Sequence, residues 1–198
     1  MNEAASGAGG PIELVHPFTE AAVRALRAGD RVRVTGLVHT GRDRFHKYLG
    51  EGGESPVALR DAAIFHCGPV MLRDGDGWRV VAAGPTTSIR EEPYMADIVR
   101  RHGVRVIIGK GGMGAKTLAA CAECGCVYLQ AVGGAAALTA RRIEAVEDVH
   151  FLEEFGPTEA IWTLRCAGLE AIVGMDAHGT SLFDAVRQGA ESRLKELL

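Results

Sequence analysis

No apolar run in this 198-residue chain approaches the about 18–20 residues that a membrane-crossing helix needs, so a membrane span is not expected. A basic excess is missing too. With 22 lysines and arginines against 25 aspartates and glutamates the formal charge is −3, which gives no electrostatic case for nucleic acid or an anionic membrane surface. The N-terminal MNEAASGAGGP lacks the basic start and apolar core of a signal peptide. It reads as a flexible leader over residues 1–11, with residues 12–198 as a single domain and the cytoplasm as the expected compartment. Cysteine is sparse and odd in number: Cys67, Cys121, Cys124, Cys126 and Cys166, so reduced thiols are expected in place of disulfides. No internal repeat is present, and the 26 glycines punctuate apolar runs instead of forming a low-complexity tract.

What is present is ample material for a core, 47% hydrophobic residues, arranged as strands and helices in mixed order. PFTEAAVRALRAGD reads as a first helix with Thr19 as N-cap and Gly29 at its end. RVRVTGLVHT, DAAIFHCGPV, WRVVAAGP, VRVIIGK, CVYLQAV, AIWTLRC and AIVGMDAHG are short, rich in β-branched residues and bounded by glycine or proline, as strands are. MADIVRRHG, GMGAKTLAACAECG and AAALTARRI have helical composition, and SLFDAVRQGAESRLKELL makes a long terminal helix. GRDRFHKYLGEGGESP reads as a loop between strands. Early strands follow one another closely and later ones are separated by helices, which predicts an α/β domain of layered sheets and helices and not a simple doubly wound fold.

The chemistry concentrates between Gly84 and Gly114. Two glycine-framed loops there carry Thr86, Thr87, Ser88 and Arg90 on one side and Lys110 on the other. Hydroxyls, a guanidinium, an ammonium and closely approachable backbone N–H groups suit a small anion bearing carboxylate or phosphate. Thr86, Thr87 and Ser88 also read as caps of a helix starting near Ile89, and a helix N-terminus is itself an anion site, so the two readings are compatible. GKGG is not a nucleotide loop, because the G-x-x-x-x-G-K-[ST] pattern is absent. Arg42, just past a strand ending near His39, reads on spacing alone as a solvated turn residue. CAECGC has C-x-x-C spacing, yet it continues an alanine-rich helix into a strand, where small cysteines pack as core residues, so no metal site is assigned to Cys121, Cys124 and Cys126. His178 in MDAHG reads as a turn residue.

Four motifs in order, GPTTSIR, IIGKGGMG, AVGGAAAL and EAIW, resemble the β subunit of the iron–sulfur hydro-lyases, class I fumarase and L-tartrate dehydratase, over about residues 36–183. The resemblance implies a swivelling β/β/α domain like the class I fumarase C-terminal domain. It also implies a lyase that reversibly hydrates or dehydrates a four-carbon dicarboxylate: most directly fumarate and (S)-malate, alternatively tartrate or a methylated analogue. By the same resemblance, Arg42, Thr86, Arg90 and Lys110 bind the substrate, the three cations through its carboxylate groups, Thr86 and Lys110 are catalytic, and His46 aligns with a histidine of the family. Gly41 stands in place of the usual alanine and Glu91 in place of a common methionine. The [4Fe–4S] cluster is then expected on a partner α subunit, with this chain in a hetero-oligomer, α2β2 being one form. Glu159 and Trp162 are expected to form a wall of the cleft, and Gly133 and Gly134 a tight turn. A dicarboxylate-sensing subunit without catalysis is the reading from a different class.

Overall fold

The computed structural model describes residues 10–197, so the expected leader lies outside the described residues except for Gly10 and Pro11. In chain order the elements are β1 (Ile12–Val15), α1 (Glu20–Arg24), β2 (Arg31–Thr40), α2 (Asp43–Gly50), β3 (Ala63–Phe65), β4 (Val70–Asp74) and β5 (Gly77–Ala82). A 3₁₀ turn (Ser88–Glu91) leads into α3 (Glu92–His102), β6 (Val106–Gly109), α4 (Ala115–Cys124), β7 (Val127–Gln130), α5 (Ala136–Ala140), β8 (Ile143–His150), α6 (Leu152–Phe155), β9 (Ile161–Met175) and α7 (Leu182–Leu197).

Seven strands share one sheet in the order β1-β2-β3-β6-β7-β9-β8, and β2 also pairs with β9. The sheet therefore folds back on itself: β2, β3, β6, β7 and β9 form a closed ring of pairings. The short parallel strands explain the layering. Ala63 and Phe65, Val106 and Ile108, and Val127 and Leu129 point into the ring, where they meet Val34 and Val38 of β2 and Trp162 and Leu164 of β9. Their alternates Ile64, Ile107 and Tyr128 point outward onto Phe45 and Leu49 of α2, Met95, Ile98 and Val99 of α3, and Ala120 and Cys121 of α4. Both faces are apolar, which is why these strands read as continuous hydrophobic runs. The β4–β5 hairpin packs on the inner core through Met71, Trp78 and Val80, with Trp78 edge-on to Trp162 at 5.1 Å. This is the layered β/β/α arrangement expected from the sequence.

Several elements differ from expectation. The first helix keeps its Thr19 cap, whose Oγ1 accepts from the Ala22 N–H at 3.2 Å, but it ends at Arg24. The Asp30 carboxylate accepts the Arg27 N–H at 2.7 Å, which turns the chain before Gly29. The tract expected as a loop contains α2, whose buried Phe45, His46 and Leu49 form one helical face. The two strands expected at AIWTLRC and AIVGMDAHG are one 15-residue strand, β9. It continues through Gly168, at φ +69°, whose N–H donates to Thr35 Oγ1 at 3.0 Å. β1, β8 and the short α6 were not anticipated, and the run DAAIFHCGPV, expected as one strand, splits into β3 and the first residue of β4.

Candidate active site

β2, β3, β6 and β7 run parallel, so their C-terminal ends lie along one edge, the place where open α/β sheets gather ligand-binding loops. Arg42 follows β2, His66 follows β3, Lys110 follows β6, and the Ala131–Gly134 segment follows β7. The loop from Gly84 to Ser88 is wedged between the ends of β3 and β6. On one side Pro85 bridges Cys67, and the Thr86 N–H donates to the His66 carbonyl at 2.6 Å. On the other, the Lys110 N–H donates to the Thr86 carbonyl at 3.2 Å and the Ser88 N–H to the Lys110 carbonyl at 3.0 Å. Thr86 and Lys110, 24 positions apart, are thus locked backbone to backbone. Lys110 Cδ runs past Gly133, where an added Cβ would lie 3.6 Å away, an ordinary contact distance.

Arg42 and Arg90 converge from different elements. Asp43 Oδ2 lies 3.0 Å from Arg90 Nη2 and 3.8 Å from Arg42 Nη2, so one carboxylate oxygen is shared by both guanidinium groups. Arg42 is held further by Glu159, with Nε 3.3 Å from Oε1, and its side chain is only 22% exposed. Gly68 makes this possible, because a Cβ there would fall 2.6 Å from Arg42 Nη1. Glu159 Oε2 also accepts the Arg44 N–H at 3.1 Å, so this carboxylate orients the start of α2 as well as the arginine. Glu159 thus lies against both Arg42 and the start of α2, where a wall residue was expected. Trp162 does not: it is fully buried in the inner core, its Nε1 donating to the Pro157 carbonyl at 2.9 Å. Arg44 points away, its Nη1 donating to the Phe155 carbonyl at 3.3 Å and its guanidinium stacking over that ring.

The hydroxyl loop does not cap a helix through its side chains. Thr87 precedes the 3₁₀ turn without a side-chain capping bond, and Thr86 Oγ1 donates to the His66 carbonyl at 3.2 Å. With its proton directed onto a backbone carbonyl, the Thr86 oxygen keeps its lone pairs for another donor.

Behind this surface lies a buried polar cluster that the sequence did not reveal. His46, whose Nδ1–H donates to the Arg42 carbonyl at 2.8 Å, packs edge-on against the His66 ring at 4.9 Å. His66 Nδ1 lies 2.9 Å from Ser88 Oγ, to which the Tyr128 hydroxyl also donates at 3.1 Å. Burial pushes His46 down to about 4 and His66 well below the ordinary histidine value, so both rings are neutral. Glu91 is fully buried with neither carboxyl oxygen hydrogen-bonded. Burial first, and then repulsion from Asp43, raise its carboxyl to about 8, so it stands neutral beside Arg90. Of its members the sequence singled out His46, by family resemblance, and Ser88, in the hydroxyl loop; Glu91 stood out only as an acid in place of a common methionine, and His66, closing the apolar strand AIFH, and Tyr128 were not singled out.

Among the described residues no three His, Cys, Asp or Glu side chains are grouped to hold a metal ion. Cys121 and Cys126 are fully buried in the helix-facing core, and burial raises the Cys126 thiol well above its usual range. Thiols packed among apolar side chains, with no third ligand grouped beside them among the described residues, do not fit an iron–sulfur cluster. His178 occupies a turn, its N–H donating to Asp176 Oδ1 at 2.9 Å.

The strand edge thus gathers two arginines around one carboxylate oxygen and locks a threonine loop to a lysine. The family model "Fumarase C-terminus" matches residues 2–186, and the chain belongs to that family. It is 52% identical over 186 residues to the "Putative fumarate hydratase class I" of Geobacillus stearothermophilus, covering 93% of this chain but 36% of that protein. The chain thus spans about a third of that relative. It is 36% identical to the "Putative L(+)-tartrate dehydratase subunit beta" of Methanocaldococcus jannaschii, covering 91% of this chain and 95% of the relative. The "L(+)-tartrate dehydratase subunit beta" of Escherichia coli (strain K12) is also 36% identical, with 85% of each chain covered. Among the described residues no helix is long and apolar enough to cross a membrane.

Proposed function

We propose that this chain is the β subunit of a two-subunit hydro-lyase that reversibly hydrates fumarate to (S)-malate, with L-tartrate or a methylated dicarboxylate as the alternative substrate. The carrying observation is that Arg42 and Arg90 meet on a single carboxylate oxygen of Asp43, beside the locked pair Thr86 and Lys110. Two guanidinium groups already arranged around one carboxylate suit a substrate carboxylate that displaces Asp43. The 52% identity to a protein named for fumarate hydration supports the fumarate reading, and the relatives named as β subunits support a partner α subunit.

Each residue has a distinct task in this reading. Arg42 and Arg90 hold one carboxylate, and Lys110 adds a third positive charge where an enediolate-like charge develops once the α-proton leaves. Glu159 keeps Arg42 aimed. The neutral state of Glu91 preserves the Arg90 charge for the substrate. Thr86 offers an oxygen whose lone pairs are free, but a threonine hydroxyl removes a proton only when a carboxylate takes or shares it, and that carboxylate is assigned to the partner. The [4Fe–4S] cluster, for which no ligand set is grouped among the described residues, is assigned to the α subunit, and the complex is read as a cytoplasmic hetero-oligomer such as α2β2. Co-expression with the α subunit, followed by assays on fumarate, malate, tartrate and methylfumarate, tests the reading. An iron-containing complex without activity on any of them, yet binding dicarboxylates, would favour a sensing subunit instead.

A further inference from the structure

His66 touches the proposed machinery at two points without belonging to it. Its backbone carbonyl accepts both the N–H and the hydroxyl of Thr86, at 2.6 and 3.2 Å. Its ring reaches the same loop two residues later, with Nδ1 2.9 Å from Ser88 Oγ. From there a chain of hydrogen bonds returns to the lysine loop: Tyr128 donates to Ser88 at 3.1 Å and accepts the Gly112 N–H at 3.3 Å. Donor counting favours one direction. With the Tyr128 proton on Ser88, His66 Nδ1 is the acceptor in this chain left for the Ser88 proton, an arrangement that puts the ring proton of neutral His66 on Nε2. Gly109, immediately before Lys110, faces this junction, and a Cβ there would overlap Ser88 Oγ. The chain therefore brackets Lys110 between Gly109 and Gly112.

His66, Ser88 and Tyr128 are all fully buried. Packing alone does not account for them. Three apolar side chains would fill the space without removing polar groups from water, and His66 Nε2 finds no partner at all. What a buried directional chain adds is a fixed geometry.

We propose that His66 is a positioning residue: carbonyl and ring together fix the Thr86–Ser88 loop against Lys110 and set the direction in which the Thr86 hydroxyl faces a bound hydroxy-dicarboxylate. This rests on reading Arg42, Thr86, Arg90 and Lys110 as a dicarboxylate site. The test has a kinetic arm in the co-expressed complex and a spectroscopic arm on the full chain. Displacing a reacting group by about 1 Å costs about a hundredfold, so His66→Leu and Ser88→Ala should each lower kcat ten- to a hundredfold with KM little changed. His66→Asn, which returns an acceptor near the Nδ1 position, should recover most of the loss. Should His66→Leu fail to fold, Ser88→Ala carries the kinetic arm. In the full chain, ¹⁵N NMR should find His66 protonated at Nε2 and bare at Nδ1, and Ser88→Ala should move the Thr86 and Lys110 amide resonances. Normal kcat in the folded variants, an Nδ1–H tautomer, or unmoved amides would overturn the proposal. If the wild-type complex turned over no hydroxy-dicarboxylate, the proposed function would fail while the NMR arm still decided whether His66 sets this geometry.

Discussion

Glu91→Gln separates buried charge from buried shape. The wild-type carboxyl is fully buried, lacks a hydrogen bond at either oxygen and is raised to about 8, against about 4.5 for the unfolded chain. Between those values the folded protein keeps a proton that the unfolded chain releases. Stability therefore falls as pH rises through this window, by up to about 1.4 kcal/mol per pH unit for one proton. His39 and His46, both lowered to about 4 by burial, act oppositely: the unfolded chain takes up their protons below about 6.5, so stability falls as pH drops from there towards 4. Glutamine is nearly isosteric and uncharged, so it removes the first dependence and leaves the second. Urea denaturation of the two proteins from about pH 5 to 8 should show wild type losing about 1–3 kcal/mol relative to Glu91→Gln by the alkaline end. Parallel curves would mean that Glu91 is ionised or solvated in the folded protein, and its role in preserving the Arg90 charge would fall with it.

Arg90→Ala and Lys110→Ala should each lower kcat/KM of the assembled enzyme about ten- to a hundredfold, since a charged hydrogen bond is worth roughly 1.5–3 kcal/mol, with thermal midpoints near wild type. Arg42→Ala should match that kinetic loss and also lower the midpoint, because it leaves Glu159, whose side chain is 15% exposed, without its cation. Thr86→Val should reduce kcat about a hundredfold with little change in KM, read with exchange of the substrate α-proton, while the exposed Thr87→Val should be close to wild type. Gly109→Ala, which forces a methyl onto Ser88 Oγ, should destabilise by about 1–3 kcal/mol in denaturation and reduce turnover of the fraction that remains folded.

The sequence was most legible where one physical requirement governed each segment. RVRVTGLVHT coincides with β2 residue for residue, because alternating arginine and valine expose one side and bury the other. α3, α4 and α7 lie within two or three residues of expectation, helped by Gly103 and Gly125 in left-handed conformations ending the first two. β8 stayed hidden because IEAVEDVH lies half-exposed on the outer edge of the sheet with acids among its apolar residues, and it follows a helical composition directly. α2 was hidden because its buried face is only Phe45, His46 and Leu49 in a charged octamer. The arginines, threonine and lysine of the site lay in recognisable motifs. Their support was less legible: apart from Ser88 in the GPTTSIR motif, it depends on His66, the buried Glu91 of the Ser88–Glu91 turn and Tyr128, which come from three separate segments that only the folded sheet makes neighbours.

The exposure of the clamp also determines what the chain does alone. Arg90 is 47% exposed and its partner Asp43 44%, a range in which an ion pair contributes at most about 1 kcal/mol. Asp43 is therefore easily displaced, but a substrate carboxylate binding there in water gains little more than Asp43 did. Arg42, at 22%, is better shielded yet already engaged by Glu159. Tight binding requires a surface that removes water from Arg90 and Lys110, which strengthens every charge–charge contact inside. The isolated chain should accordingly bind fumarate or malate only at about millimolar concentration, and the complex with its α subunit at least tenfold more tightly. Titration of the isolated chain by NMR, following the Thr86 and Lys110 amides, measures the first value, and inhibition of the complex by a non-reacting dicarboxylate measures the second. Micromolar binding to the isolated chain, centred on Arg42 and Arg90, would show that the pocket is complete without a partner, and the sensing-subunit reading would then become the stronger one.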